Sequence, residues 1–383
     1  SRPEMQTLQE EKLASLLKSA YAHCPWHQER MNTAGIDPAG PVSLEDLRRL
    51  PTMDKQDALL HGEQMVWHAV PGGAFKYNTG GSSGQPLIFY YGRRRQASDA
   101  AGRMRARRWW GVEPGDREVY LWGAPVELNK TDRIKTLRDR MINQLVLNAF
   151  EMSPAAMAEY VQAIQAFQAQ CIYGYASSLA LLAAHLLDRK MELRLPKLKV
   201  ICTTGEPLFD YQRKLISDAF GSPVANEFGS RDIGFTAHDS PQGQMLLMNE
   251  SIILEVLDEA GQPVPSGETG EAVMTALESF AQPFIRYRTG EMVRMSNKSC
   301  RAGRGLYVIA EVMGRSTDFV VRADGTIMHA LAVIYVLRAI EGVAEFKIIQ
   351  HTLHEFEVLV VPNANWQDSG RLEIETGLHK RLG

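Results

Sequence analysis

The apolar positions near the start of the chain fall at helical spacing. Leu13, Leu16, Leu17, Ala20 and Tyr21 form one stripe, and Pro25 interrupts the run. Ser43 followed by Asp46 reads as a capping box that opens a helix over LEDLRRL. Arg93 to Trp110 predicts a helix with seven arginines, and Glu118–Trp122 (EVYLW) a strand. From there strand and helix alternate. Ser153-Pro154 is a cap with a first-turn proline, opening a helix to about Gln168. CIY, LKVICTT and PVANEF read as short buried strands, SLALLAAHLLDRK and PLFDYQRKLISDAF as helices. Continuous apolar strands between helices predict an α/β fold, a mostly parallel sheet covered by helices on both faces. After Gly243 the pattern changes. SIILEVLDEAGQPV and EAVMTAL are strands joined by Gly, Pro and Asp turns, which predicts an antiparallel β subdomain. Beyond GRSTDF, a hairpin turning at Asp324-Gly325, a helix from about His329 and strands near 345–350 and 355–361 predict a small α+β domain. The expected organisation is a large N-terminal domain over 1–314 and a small C-terminal domain over 315–383.

Composition narrows the class. The chain has 383 residues, 45% apolar and 23% charged, enough for a sizeable core in more than one domain. A net charge of -3 exerts no general pull on nucleic acid or an anionic membrane. No apolar run approaches the roughly 20 residues of a membrane helix, and SRPEMQ does not open a signal peptide. Cys24, Cys171, Cys202 and Cys300 are far apart with no C-x-x-C, so reduced thiols and a cytoplasmic location are expected.

The stretch YNTGGSSGQPLIFYY, Tyr77 to Tyr91, concentrates candidate chemistry. Gly80-x-Ser82-x-Gly84 fits the nucleophile elbow of hydrolases, but that motif needs a helix after the serine. Gln85-Pro86 and the aromatic run behind it predict a strand instead. A phosphate-cradling loop fits better. Successive glycines let backbone N–H groups converge on an anion, and Thr79, Ser82 and Ser83 add hydroxyl donors. The loop is neither a G-x-x-x-x-G-K-[ST] nor a G-x-G-x-x-G motif. Its company decides. TTGEPL (Thr203–Leu208) ends one buried strand and NEFGSRDIG (Asn226–Gly234) ends the next, and strand ends are where α/β sheets bind ligands. IRYRTGE and MGRSTDF follow in order.

This order of motifs resembles the adenylate-forming (acyl-CoA synthetase-like) superfamily, and within it the phenylacetate–CoA ligase group with its capsular-polysaccharide (CapK-like) relatives. The resemblance runs from Leu8 nearly to the end, with TGGSSGQP and RYRTGE the most specific pieces. It implies activation of a carboxylic acid by ATP as an acyl adenylate, with release of pyrophosphate, then transfer to coenzyme A. Transfer to an amine or hydroxyl is the alternative, and a nucleotide-binding protein without turnover is the reading from another class. ATP, Mg²⁺ and coenzyme A are the implied cofactors. The implied partners are a small-molecule acid and a CoA or amine acceptor, with no nucleic acid or membrane and a homodimer left open.

The resemblance also implies roles. Thr79, Gly80, Gly81, Ser82, Ser83 and Gly84 hold the β- and γ-phosphates, with Gln85 where the family usually has lysine. Phe228 stacks on adenine, Gly205, Glu206 and Pro207 line its other side, and Asn226, Glu227, Gly229 and Ser230 complete that nucleotide-binding stretch. Asp232 stands for the glutamate that helps hold Mg²⁺, and Arg231 reaches the α-phosphate. Glu291 takes the ribose hydroxyls, and Arg315 contacts the nucleotide near the hinge, where Thr317 and Asp318 follow. Trp122, Tyr173 and Tyr175, at or just past strand ends, are placed to line the pocket of an aryl or otherwise apolar acid, and Tyr173 and Tyr175 read equally well as core residues. The small domain acts as a lid. Lys380 falls too early to be the family's catalytic lysine, so that domain is expected to be incomplete.

Two other features have plainer readings. His23 and His27 are spaced like a metal pair but flank Pro25, which breaks the helix such a pair needs. The arginine helix reads as a solvated basic face or as a surface for the phosphates of coenzyme A.

Overall fold

The computed structural model describes residues 1–78, 87–122, 141–149, 152–315, 319–321, 327–329, 331–338 and 340–382. The chain divides into two compact units, Ser1–Met313 and Gly314–Gly383.

The N-terminal stripe becomes α1 (Arg2–His23), with Leu13, Leu16, Leu17 and Ala20 fully buried. Pro25 stops this helix at an extended Cys24 and then begins α2 (Pro25–Ala34), where its missing N–H has no partner to lose. In α3 (Leu44–Arg49) the capping box forms. Asp46 N donates to Ser43 Oγ at 3.2 Å, and Ser43 N donates to Asp46 Oδ2 at 3.0 Å. A short α4 (Lys55–Leu60) and a 3-10 turn (Gly62–Met65) lead into β1 (Ala74–Asn78). β1 pairs antiparallel with β2 (Ile88–Gly92), and α5 (Arg93–Trp109) starts at the next residue.

The parallel half of the main sheet contains β3 (Glu118–Trp122), β4 (Gln144–Asn148), β5 (Cys171–Tyr175), β6 (Val200–Thr204) and β7 (Val224–Ser230). Between them run α6 (Pro154–Phe167), α7 (Ala176–Asp188) and α8 (Asp210–Phe220). β8 (Gly234–Asp239), β9 (Met245–Leu247), β10 (Ile252–Leu257), β11 (Thr269–Ala276), β12 (Tyr287–Met295) and β13 (Val308–Arg315) follow. They do not form a separate subdomain. All eleven strands make one sheet, in the order β10-β11-β12-β13-β9-β8-β7-β6-β5-β3-β4. β7 joins the halves, running parallel to β6 and antiparallel to β8.

Strand alternation sorts the parallel half into two faces. Val119, Leu121, Ile172, Ile201 and Val224 bury against α6, α7 and α8. Tyr120, Trp122, Cys171, Tyr173, Val200, Cys202 and Ala225 form the opposite cluster. All four cysteines are buried free thiols.

In the C-terminal unit, β14 (Phe319–Val321) pairs with β15 (Ile327–His329), and the expected turn at Asp324-Gly325 lies outside the described residues. α9 (Leu331–Arg338), β16 (Val343–Gln350) and β17 (Phe356–Pro362) follow, the last two paired antiparallel. A final helix, α10 (Ser369–Leu382), has no counterpart in the sequence reading. Its buried residues Ile374, Leu378 and Leu382 fall four apart, a narrow stripe that packs with Val333, Val336 and Leu337. Among the described residues no helix is long and apolar enough to cross a membrane.

His23 and His27 sit on different helices. His23 stacks on Trp67 with ring centroids 3.8 Å apart. His27 is fully buried, with Nε2 donating to Pro283 O at 2.9 Å and Nδ1 accepting from Arg30 Nη1 at 3.1 Å. Burial first, then the Arg30 charge, pushes the His27 pKa from 6.5 down to about 3. The neutral ring therefore favours the folded state, and that contribution is lost as pH falls from 6.5 towards 3. His27 is expected to steepen acid destabilisation by about 1.4 kcal/mol per pH unit in that window. Urea unfolding across the window tests this. His27→Gln, which keeps a donor towards Pro283, should flatten the slope; an unaltered slope would assign the acid sensitivity to other groups.

Candidate active site

The parallel strands β3, β5, β6 and β7 end along one edge, and the face bearing Trp122 and Tyr173 turns towards α5. Trp122 stacks on Tyr175 at 4.3 Å with an interplanar angle of 12°, and lies 5.6 Å from Tyr173. The three expected pocket aromatics therefore stand together. Gly205, just past β6, has φ 75, and a Cβ there would lie 3.1 Å from the Tyr175 ring. Glycine thus lets the chain turn directly against that ring. Glu206 Oε2 accepts from Ser177 N at 3.0 Å, satisfying an open donor in the first turn of α7. Pro207 continues this turn. Asn226 is held on both sides: its N–H donates to Asp239 Oδ2 at 2.9 Å, and its Oδ1 accepts from Thr203 at 3.1 Å.

Glu227 is buried on the α5 side. Its Oε1 accepts from Tyr173 OH at 2.9 Å, Thr204 Oγ1 at 3.4 Å and Arg103 Nη2 at 3.2 Å, and its Oε2 accepts from Arg103 Nε at 3.3 Å. Beneath it, Arg107 pairs with Glu118 and donates to Tyr120 OH at 3.0 Å. Burial, then the Glu227 charge, pushes the Tyr173 phenol well above its usual range, so it stays protonated and donates.

These arginines divide: Arg95 and Arg107 are buried, Arg103 and Arg105 are half-buried, and Arg93, Arg94 and Arg108 remain a solvated face. Arg94 pairs with Glu278, Arg105 with Glu250 and Arg108 with Glu113, besides the two pairs above. The sequence reading missed Arg103, Arg107 and Thr204 as parts of the site. A signal was present: Arg95, Asp99, Arg103 and Arg107 recur every four residues, a polar stripe on a single helix face.

β7 runs on into the turn that carries Arg231 and Asp232. Phe228 is half-buried against the core cluster around Phe89 and Tyr287. The register shifts between Phe228 and Gly229, and Ser230 Oγ accepts from Ile233 N at 3.2 Å. Asp232 is buried, and its Oδ1 also accepts from Ile233 N at 3.2 Å. Arg95 grips this turn from α5, donating to Asp232 O at 2.7 Å and Arg231 O at 2.5 Å. Asp99, one helical turn later, accepts from Phe235 N at 3.0 Å. Gly234 between them has φ 108, and a Cβ would come within 2.5 Å of Asp99 Oδ1, so only glycine fits.

Arg231 is exposed and reaches the start of the glycine loop. Its Nη1 donates to Asn78 O at 3.3 Å, and its guanidinium lies 5.5 Å from the Tyr77 ring centre. Thr79, Gly80, Gly81, Ser82, Ser83 and Gly84 lie outside the described residues, as do Thr317, Asp318 and the side chain of Arg315. Glu291 lies on β12, with β13, β9 and β8 between it and β7, and its N–H donates to Thr289 Oγ1 at 3.1 Å.

No protein-family model matches the chain. It is 26% identical over 371 residues to the phenylacetate–coenzyme A ligase of Thermus thermophilus, covering 94% of this chain and 82% of that protein. It is 21% identical over 323 residues to protein CapK of Staphylococcus aureus, covering 84% and 70% respectively. Among solved structures, a 2-hydroxyisobutyryl-CoA ligase bound to an acyl adenylate superposes with a TM-score of 0.72 at 22% identity, over 100% of this chain and 84% of that one. In sequence the chain is thus similar, over most of its length, to the phenylacetate–CoA ligase-like group of the adenylate-forming superfamily, and it shares the fold of a solved CoA ligase.

Proposed function

We propose that this protein is an ATP-dependent, AMP-forming ligase that joins an aryl or otherwise apolar carboxylic acid to coenzyme A. The observation that carries this reading is the Arg231–Asn78 bond. It ties Asn78, where the glycine loop begins, to the turn that follows β7, one of the strands ending along the same edge as β3, β5 and β6, and so supports a cation beside the proposed phosphate site. The sequence match along 94% of the chain to a phenylacetate–coenzyme A ligase supports the same chemistry.

In this reading a carboxylate oxygen attacks the α-phosphorus of ATP and pyrophosphate leaves. The CoA thiol then attacks the acyl carbon and AMP leaves. The first step brings two anions together, and fixed positive groups must offset their repulsion. Arg231 takes that role, with Thr79–Gly84 holding the leaving phosphates. Phe228 stacks on adenine, Gly205, Glu206 and Pro207 line its other side, and Glu291 takes the ribose. Trp122, Tyr173 and Tyr175 wall the acid. Among the described residues no group of three or more side chains would hold a metal unaided. Mg²⁺ commonly takes one or two carboxylates plus substrate phosphates, and Asp232 fits that demand. When bound it would neutralise phosphate charge. The four free thiols are consistent with a cytoplasmic protein.

Isotope exchange between pyrophosphate and ATP tests the first step. Exchange is expected with aryl acids and not without acid, and thioester should form when CoA is added. Product with amines but not CoA would assign a different acceptor; ATP binding without acid-dependent exchange with any acid would remove the enzyme reading.

Two substitutions separate chemistry from scaffolding. Asp232→Asn is expected to lower exchange about a hundredfold or more with the urea midpoint near wild type. Arg95→Met is expected to destabilise the fold by roughly 3–5 kcal/mol, because it strips buried carbonyls and Asp99 of their cation. Full exchange activity in Asp232→Asn would remove the metal assignment.

A further inference from the structure

We propose that the acid pocket recognises a hydroxyl group on its substrate through the guanidinium of Arg103. The proposal rests on reading the β3–β7 edge as the acid pocket, and it names the substrate class: a hydroxylated aryl acid rather than a purely apolar one.

Arg103 enters this face from α5, flanked by the Phe235 ring at 5.3 Å and the Tyr173 ring at 6.0 Å. A third of its side chain, 35%, stays open to solvent, whereas Glu227 beneath it is only 5% exposed. Burial opposes the charge, yet Glu227 outweighs it, and the guanidinium is held above its ordinary pKa. The guanidinium is thus partly shielded by its neighbours yet still open to solvent. Two of its nitrogens, Nε and Nη2, are committed to Glu227 at 3.3 and 3.2 Å. Among the described residues Nη1 has no partner, so one strong donor remains for a ligand on the face that Tyr173 shares with Trp122.

The chemistry of the donor selects the ligand. Glu227 already balances the Arg103 charge, so an anionic substituent would meet the carboxylate and gain little. An aryl amine mainly donates, and a guanidinium only donates, so those two do not match. A hydroxyl oxygen accepts from Nη1 in a charge-assisted bond. A methyl group or bare ring edge in the same place would cover the donor without satisfying it, which is the basis on which polar pockets reject apolar analogues.

The test is pyrophosphate–ATP exchange with matched acids: phenylacetate and benzoate beside their ring-hydroxylated, ring-aminated and ring-methylated forms. The wild-type protein is expected to show kcat/KM at least about tenfold higher for one hydroxylated acid than for its parent, methyl and amino analogues. In Arg103→Met that ratio is expected to fall to about one. The wild-type ratio needs no variant, so the test holds even if Arg103→Met folds poorly. Equal use of hydroxylated and unsubstituted acids, or an unchanged ratio in a folded Arg103→Met, overturns the hydroxyl assignment and leaves the ligase reading intact. Exchange with no acid at all overturns both.

Discussion

The site depends on how one helix is pinned to one sheet. α5 sends Arg103 to Glu227 on β7 and Arg107 to Glu118 on β3, while Arg95 takes two carbonyls from the turn after β7. Arg94 and Arg105 reach Glu278 and Glu250 in the antiparallel half. Such contacts are poor glue, since removing charges from water costs nearly what their attraction returns. Their value lies in selectivity. An apolar helix face slides over an apolar sheet at little cost, whereas the buried cations Arg95 and Arg107 are stable only opposite their own partners. The helix is thereby held in register against the strand ends that carry the candidate chemistry.

The same register shapes the edge itself. β7 is shared by the parallel and antiparallel halves, so the chain leaves its C-terminal end through a short turn and returns immediately as β8. That turn is tight enough to require glycine at Gly234, and Arg95 and Asp99 hold it from behind. Asp232 and Arg231 therefore sit on a braced corner rather than a long loop. Catalytic geometry gains from such bracing because side chains built on supported backbone hold position without reorganising.

Much of the architecture was legible because its causes are local. The α1 stripe, the Ser43–Asp46 box and the Ser153-Pro154 opening each lie within a few residues of what they control. The positions of Trp122, Tyr173 and Tyr175 at or just past strand ends likewise pointed to a shared neighbourhood. The meaning of the arginines was not legible, because Glu227 lies 124 residues from Arg103 and nothing short-range announces the pairing. Merging of the antiparallel strands into the main sheet was hidden for the same reason, as it turns on which edge β8 finds. α10 escaped because an apolar residue every fourth position is too sparse a pattern beside so many charged neighbours.

β2 passes into α5 at Gly92 with no intervening residue, while β2 itself is laced to β1 from Ile88 to Gly92. The residues that flank the glycine-rich segment are thus held side by side in one hairpin, and its second strand is continuous with the helix that carries Arg95, Arg103 and Arg107. In the proposed function, a triphosphate bound after Asn78 would pull on that hairpin, and through β2 on α5. Nucleotide and acid would then feel each other's arrival through a single stiff piece of backbone, without any relay of side chains.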